Sequence, residues 1–332
     1  MTVTVLMPFK DAARYLDQCV QSLNAQTHAL FHVVAIDDGS VDDGAEILRK
    51  RLRRPLTLLS HAAPMGVSAS LNHGLAHIES GLVVRMDADD IAHPRRIDAL
   101  VEAMDVPSRP DAVFSWYRYI DSRGRALPTQ PCPSAGIAQY AGDLLCIGNF
   151  ISHPTVAFRR ESLRDGYVTD SSAEDYATWL AHASTWQWAF TAENLLKWRL
   201  HSQNQSLMVP RDPGSLSEHL ALCWESTGMS LDPQVLSAVI SPAGNSLAVL
   251  LETDRTIGAL VSRLRSTSPP AGAYAAAIHS QWQLRALLAA SRDGRRSLVG
   301  ALHRRGDTKG LLRAALLAGR RQVHARHRPS AP

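Results

Sequence analysis

Between Thr2 and Met104, short apolar runs rich in β-branched residues alternate with stretches whose apolar residues recur at helical spacing. The connections between them are only a few residues long. Few architectures accept that rhythm, because parallel strands need a crossover between them and a helix is the usual crossover. Thr2–Met7, Phe31–Ile36, Leu56–Leu59 and Leu82–Met86 read as strands. Helices are expected over Ala12–Gln26, Asp42–Leu52 and Val67–Ile78, and from Pro94 to about Met104. Leu16, Cys19, Val20 and Leu23 supply the apolar stripe of the first helix. The pattern predicts an α/β domain with a largely parallel sheet, and such sheets place ligands in the crevice outside the carboxyl ends of their strands.

Polar chemistry gathers at those ends. Pro8-Phe9-Lys10-Asp11 follows the first strand, Asp37-Asp38-Gly39-Ser40 the second, and Asp87-Ala88-Asp89-Asp90 the fourth. Three aspartates in four positions repel one another. Water around a surface turn relieves that repulsion cheaply, and so does a bound cation. In an extended chain Asp87 and Asp89 point to the same side, and hard carboxylate oxygens suit Mg²⁺ or Mn²⁺ while leaving positions open for phosphate. Asp90 reads as the N-terminal cap of the helix that follows. Asp38 reads equally as part of a strand–helix turn or as an acceptor for the N–H of a nucleobase.

Beyond Pro110 the text changes. Ala112–Trp116, Thr155–Phe158, Trp188–Thr191 and Leu195–Leu200 read as strands, Glu174–Ala183 as a helix, and Asp121-Ser122-Arg123-Gly124 as a hairpin turn. Trp179, Trp186, Trp188 and Trp198 read as core residues, with a ligand-stacking platform as the competing role. His153-Pro154 either borders a ligand pocket or shapes the turn before a strand. A break at Pro210–Ser215 precedes Ala- and Leu-rich, mainly helical text. Residues 1–212 carry 20 Lys and Arg against 24 Asp and Glu, and residues 213–332 carry 15 against 7, so the two regions are expected to do different work.

Seven stretches, MPFKDAARYLDQCVQSLNAQ, VVAIDDGSVDDG, GVSASLNHGLA, VVRMDADDIAHPRRI, SHPTVAFRRESL, AEDYATWL and KWRLHSQNQS, stand in this order over about residues 1–208. Together they resemble the family 2 glycosyltransferases of the GT-A fold. That resemblance implies a mixed sheet flanked by helices, with residues 1–212 as the catalytic domain; residues 213–332 lie beyond it and read, from their composition and charge, as a basic, mainly helical C-terminal region. The resemblance implies a nucleoside-diphosphate sugar donor, UDP first among the nucleotides, and a glycan, lipid-linked or protein acceptor in cell-envelope or polysaccharide synthesis. Pro8, Phe9, Lys10 and Asp11 would line the nucleotide pocket, Asp38 would meet the base edge, and Asn72 would lie near the nucleotide. Asp87 would meet the ribose and share the cation, Mg²⁺ or Mn²⁺, with Asp89 and His201. Asp175 would be the general base of an inverting transfer and Glu174 would orient the acceptor. Many relatives carry an aromatic residue where Lys10 stands, and lysine cannot stack on a base as a ring does.

The tail from Arg292 to Arg328 combines arginines with a leucine stripe. A helical bundle with a solvated arginine face, an anionic membrane surface as partner, and nucleic acid are the three readings, nucleic acid last because few aromatics interleave the arginines. Val235–Leu251 is interrupted by Ser, Pro and Asn and does not read as a membrane span, and Thr2–Met7 does not read as a leader. The expectation is a cytoplasmic protein, or one peripheral to the inner face of the plasma membrane. Cys19, Cys132, Cys146 and Cys223 form no metal or disulfide spacing and are expected as reduced thiols. The alternative function is a catalytically inactive GT-A fold that binds nucleotide-sugar, or nucleic acid through its basic C-terminal region.

Overall fold

Val3–Phe9 forms strand β1, buried at almost every position, as a strand covered on both faces must be. The computed structural model describes residues 2–79, 81–129, 131–169, 171, 173–204 and 213–289. β1 runs parallel to β2 (His32–Asp37) on one side and to β4 (Leu82–Arg85) on the other, and β3 (Leu56–Ser60) lies parallel outside β2. Helices α1 (Ala13–Asn24), α2 (Gly44–Arg51) and α3 (Val67–Leu75) make the three crossovers. The stripe of α1, with Leu16, Cys19, Val20 and Leu23, is buried as its spacing requires.

Beyond β4 the sheet stops being parallel. β5 (Ile91–Ala92) precedes α4 (Arg96–Met104), and β6 (Ala112–Asp121), β7 (Val156–Arg159) and β8 (Trp188–Leu200) complete the order β3-β2-β1-β4-β7-β6-β8-β5. β7 is antiparallel to both β4 and β6, while β8 is parallel to β6 and antiparallel to β5. The mixed sheet implied by the resemblance is present, and the largely parallel sheet implied by the alternation holds only for the first half.

Local departures have local causes. The segments expected at Trp188–Thr191 and Leu195–Leu200 are one strand, whose register slips against Trp116 and so disguises its continuity. Asp121 accepts from the N–H of Arg123 and of Arg125 and makes the turn, but the returning chain contributes a single bridge, Ile120 to Ala126, rather than a strand. Asp90 does not cap α4. Its carboxylate is buried and accepts the N–H of Arg199 at 2.8 Å, and the residue before the helix is Arg95, without a side-chain cap.

The chain divides into two compact units: residues 1–142 with 151–215, and residues 143–150 with 216–332. The first contains the sheet and α6 (Glu174–Ala181), which follows the short helix α5 (Ala141–Leu145). The second has α7 (Pro213–Ser226), α8 (Pro233–Ile240), α9 (Leu247–Thr267) and α10 (Pro269–Ala289). Asp232 and Ser246 cap α8 and α9 through their side chains. Within this second unit Asp254, buried on α9, accepts from His279 and Gln283 of α10, both at 2.9 Å. Cys146 and Cys223 are both buried here with sulfurs 2.8 Å apart, and all four cysteines are free thiols. No helix among the described residues is long and apolar enough to cross a membrane. The arginine-rich tail, Arg292–Arg328, lies outside the described residues.

Candidate active site

The ends of β1 and β2 are tied into one surface by short polar bonds. Asp11, in a left-handed conformation, accepts the N–H of Val41, donates its own N–H to the Ser40 hydroxyl and pairs with Lys10 at 3.1 Å. The Val41 N–H and the Lys10 ammonium together lower the Asp11 carboxyl. Asp37 accepts from the N–H of Ser40, and the Asp38 N–H donates to the Phe9 carbonyl. Gly39 has φ +69°, and a Cβ there would come within 2.9 Å of the Ala63–Pro64 peptide, so only glycine lets residues 61–66 lie this close.

Asp38 is the anchor of that 61–66 loop. Its carboxylate accepts from the N–H of Met65 at 2.7 Å, the N–H of Gly66 at 2.9 Å and Nδ1 of His61 at 2.9 Å. Burial pushes the carboxyl up, but His61 and the two N–H groups outweigh it and hold it below the ordinary value. His61 in turn bonds His73 at 2.9 Å. The residue expected to meet a base edge therefore spends most of its acceptor capacity on its own chain.

At the end of β4, Asp87, Asp89 and Asp90 bring oxygens within 4.8 Å of one another. Each is steered by a different partner. Asp87 pairs with Arg85 at 2.7 Å. Asp89 meets Nε2 of His201 at 2.7 Å, while its backbone carbonyl accepts Nε of Arg199. Asp90 has one oxygen on the Arg199 N–H and the other buried without a hydrogen-bond partner. Burial first, then the charges of Asp89 and Asp87, raise the Asp90 carboxyl well above its ordinary value. Arg199 is buried, donates also to Gln18 and to the Asp121 carbonyl, and stands over the Tyr15 ring. His201 stacks on the same Tyr15 ring, 4.8 Å between centroids. The His201 Nδ1 accepts the N–H of Gln203, which assigns the ring proton to Nε2, facing Asp89. Hard oxygens this close, with one orphaned in the interior, fit a small divalent cation such as Mg²⁺ or Mn²⁺.

Glu174 and Asp175 open α6, where the helix dipole favours acidic residues. Asp175 accepts the N–H of Tyr176. Glu174 is turned inward against Nδ1 of His153 at 3.3 Å, and Nε2 of His153 meets the Tyr167 hydroxyl at 3.1 Å. Burial raises the Glu174 carboxyl. Burial and the Arg85 charge depress His153 to about 3, against the opposing pull of Asp175 and Asp87. An unfolded histidine takes its proton near pH 6.5 and this folded one only near 3, so its contribution to stability is constant above about pH 6.5 and declines as pH falls toward 3. Urea unfolding across that window should show a shallower acid decline in His153→Gln than in the wild type.

Asn72 is a clamp. Its amide donates to the Tyr167 carbonyl at 2.9 Å and accepts the Tyr167 N–H at 2.7 Å, joining α3 to the loop before α6. Asn72→Ala would strand both main-chain groups, and we expect a loss of about 2 kcal/mol in urea unfolding. Of the tryptophans, Trp179 and Trp186 are buried and pack with Trp188 in one aromatic cluster, the core role; Trp198 is half-buried against Tyr117 and Tyr119.

Thus every candidate site residue named from the sequence lies in the first unit, and the fold brings the β1, β2 and β4 ends to one sheet edge. Arg85, Arg199, Tyr15 and Tyr167 went unnoticed. The first two carried a signal: an arginine inside an apolar strand run, in LVVRMD and in KWRLHS, must find a partner when buried.

The sequence profile of glycosyl transferase family 2 matches residues 4–166. Over 186 residues the chain is 29% identical to the amylovoran biosynthesis glycosyltransferase AmsE of Erwinia amylovora, covering 54% of this chain and 68% of that protein. It is also 29% identical, over 185 residues, to the UDP-Gal:alpha-D-GlcNAc-diphosphoundecaprenol beta-1,3-galactosyltransferase of Escherichia coli, covering 54% of this chain and 66% of that one. Among solved structures, S. aureus TarS 1-349 in complex with UDP-GlcNAc superposes with a TM-score of 0.57 at 17% identity, covering 92% of each chain. At that identity the superposition speaks for the fold alone.

Proposed function

Because the chain belongs to the family 2 glycosyltransferases and has their GT-A fold, we propose that it moves a hexosyl group from a UDP-sugar to a hydroxyl of a lipid-linked glycan or a growing polysaccharide, with inversion at the anomeric carbon and the help of a divalent cation. The observation that carries this reading is the acidic cluster at the end of β4, where Asp87, Asp89 and Asp90 bring oxygens within 4.8 Å of one another. A divalent cation shared with a diphosphate would relieve their repulsion, and the diphosphate is the group a sugar transfer must release.

The donor and acceptor are read from relatives. One is named for UDP-galactose and a diphosphoundecaprenol-linked sugar, and TarS was solved in complex with UDP-GlcNAc. Lys10, paired with Asp11, takes the place of a stacking ring and offers an ammonium to phosphate instead.

Asp87 and Asp89 would hold the cation, with His201 a third ligand once its ring proton moves from Nε2 to Nδ1 and the Gln203 contact breaks; when bound, the cation would neutralise charge on the departing diphosphate. Asp175 takes the proton of the acceptor hydroxyl as its oxygen bonds to the anomeric carbon and the bond from that carbon to the diphosphate breaks. A single displacement needs no enzyme nucleophile and inverts the centre. Glu174, held inward by His153, fixes the start of α6 and with it the direction of Asp175.

The test is nucleotide release from UDP-glucose, UDP-galactose and UDP-GlcNAc, with GDP-mannose and dTDP-rhamnose alongside, using diphosphate-lipid-linked GlcNAc as acceptor. UDP release that rises with acceptor supports the reading. Release from GDP-mannose alone would replace UDP, and no release from any donor would overturn the transferase.

A further inference from the structure

Arg85 is the least expected residue of the sheet. β4 lies between β1 and β7 and is buried at all four positions, three of them Leu82, Val83 and Val84. The fourth carries a guanidinium. Taking that cation out of water costs several kcal/mol unless its partners recover it, and a leucine or methionine would fill the same place at no such cost. One of its terminal nitrogens donates to the Met86 carbonyl and the other to Oδ1 of Asp87 at 2.7 Å, while Nε has no partner. The pairing is lopsided. The Arg85 side chain is 3% exposed and that of Asp87 is 31% exposed, so Asp87 would be well hydrated without it. Solvation of the aspartate therefore does not explain why the arginine is there. Direction does: in an extended strand end, residues two apart share a side, and a buried planar donor fixes one carboxylate oxygen and so aims the other. Without that hold, repulsion from Asp89 and Asp90 would turn Asp87 away from them.

We propose that Arg85 is a positioning residue for the transfer: through its bond to Oδ1 it aims Asp87 at the nucleotide and cation. This rests on the transferase reading above. It also makes a prediction of definite sign. If Arg85 were only a counter-charge, its removal would strengthen the attraction of the acidic cluster for a cation. If it positions Asp87, its removal weakens cation-dependent nucleotide binding.

The experiment is calorimetric titration of UDP, and of GDP in parallel, into the full-length protein with and without Mn²⁺, for the wild type, Arg85→Met, Arg85→Lys, Asp87→Asn and the Arg85→Met/Asp87→Asn double variant. We expect Mn²⁺-dependent affinity to fall about tenfold or more in Arg85→Met. Arg85→Lys keeps the charge but not the planar fork, and should recover only part of the loss. The double variant should bind no more weakly than Asp87→Asn alone. Unchanged or tighter binding in Arg85→Met, full recovery in Arg85→Lys, or losses that simply add in the double variant would each overturn the proposal while leaving the transferase intact. A wild-type protein that binds neither nucleotide would instead remove the transferase reading, and this inference with it. Should Arg85→Met fail to fold, Arg85→Lys against Asp87→Asn decides the question.

Discussion

Asp175→Asn is expected to abolish sugar transfer and to leave nucleotide binding intact. Asparagine keeps the shape of the side chain and can still accept the Tyr176 N–H, so the start of α6 should hold. What it loses is the ability to take a proton. A positioned general base contributes on the order of 10²–10⁴-fold to a rate, and the acceptor hydroxyl has no other means of becoming a nucleophile in the mechanism above. Initial rates of UDP release in the presence of acceptor, set beside calorimetric UDP affinity, separate the two effects. A variant with full turnover would take the base role away from Asp175 and turn attention to its neighbour. Glu174 is a poor substitute on present geometry, since its carboxylate is turned inward and faces His153 at 3.3 Å.

Loss of the cation should be nearly as damaging. Chelation by EDTA is expected to cut turnover by about 10²-fold or more, because the developing diphosphate charge then has no counter-charge worth several kcal/mol. Added Mn²⁺ should restore the wild type and fail to restore Asp89→Ala. That variant is a fair probe. The Arg199 guanidinium that anchors this stretch donates to the backbone carbonyl of residue 89, not to its carboxylate, and Asp90 keeps its own bond to the Arg199 N–H. The backbone should stay where it is while one ligand and the partner of His201 disappear. Turnover that ignores EDTA and survives in Asp89→Ala would mean that the acidic cluster does something other than hold a cation.

How much of this was legible beforehand follows the range over which each interaction acts. The alternation from β1 to β4 is local, and the strands and helices there fell where periodicity put them. Asp90 was misread because a residue just before a helix, polar and acidic, has the local credentials of a cap. Its true partner, Arg199, is more than a hundred residues away and arrives only because β8 pairs with β5 beside it. Asn72 was assigned to the nucleotide by resemblance, and its amide closes on the main chain of Tyr167, a contact no spacing announces. The antiparallel half of the sheet was hidden for a similar reason: β8 slips register at Trp116, so its alternation breaks midway and one strand reads as two. Arg85 was in plain view, an ionised side chain in an apolar run. It passed unremarked because pattern reading rewards agreement with the strand and has no place for the exception.

The path of the chain has a practical consequence. Residues 143–150 leave the sheet-bearing unit before β7 and belong with helices α7 to α10, where Trp224 donates to the Cys146 carbonyl and Arg263 pairs with Asp143. Leu144, Leu145, Cys146 and Ile147 are all fully buried there. The helical region is thus stitched into the middle of the catalytic sequence and cannot be snipped off at its apparent border near Pro213. A shortened protein ending there would carry a greasy loop with nothing to cover it, and would be prone to stick to its neighbours before it could be assayed.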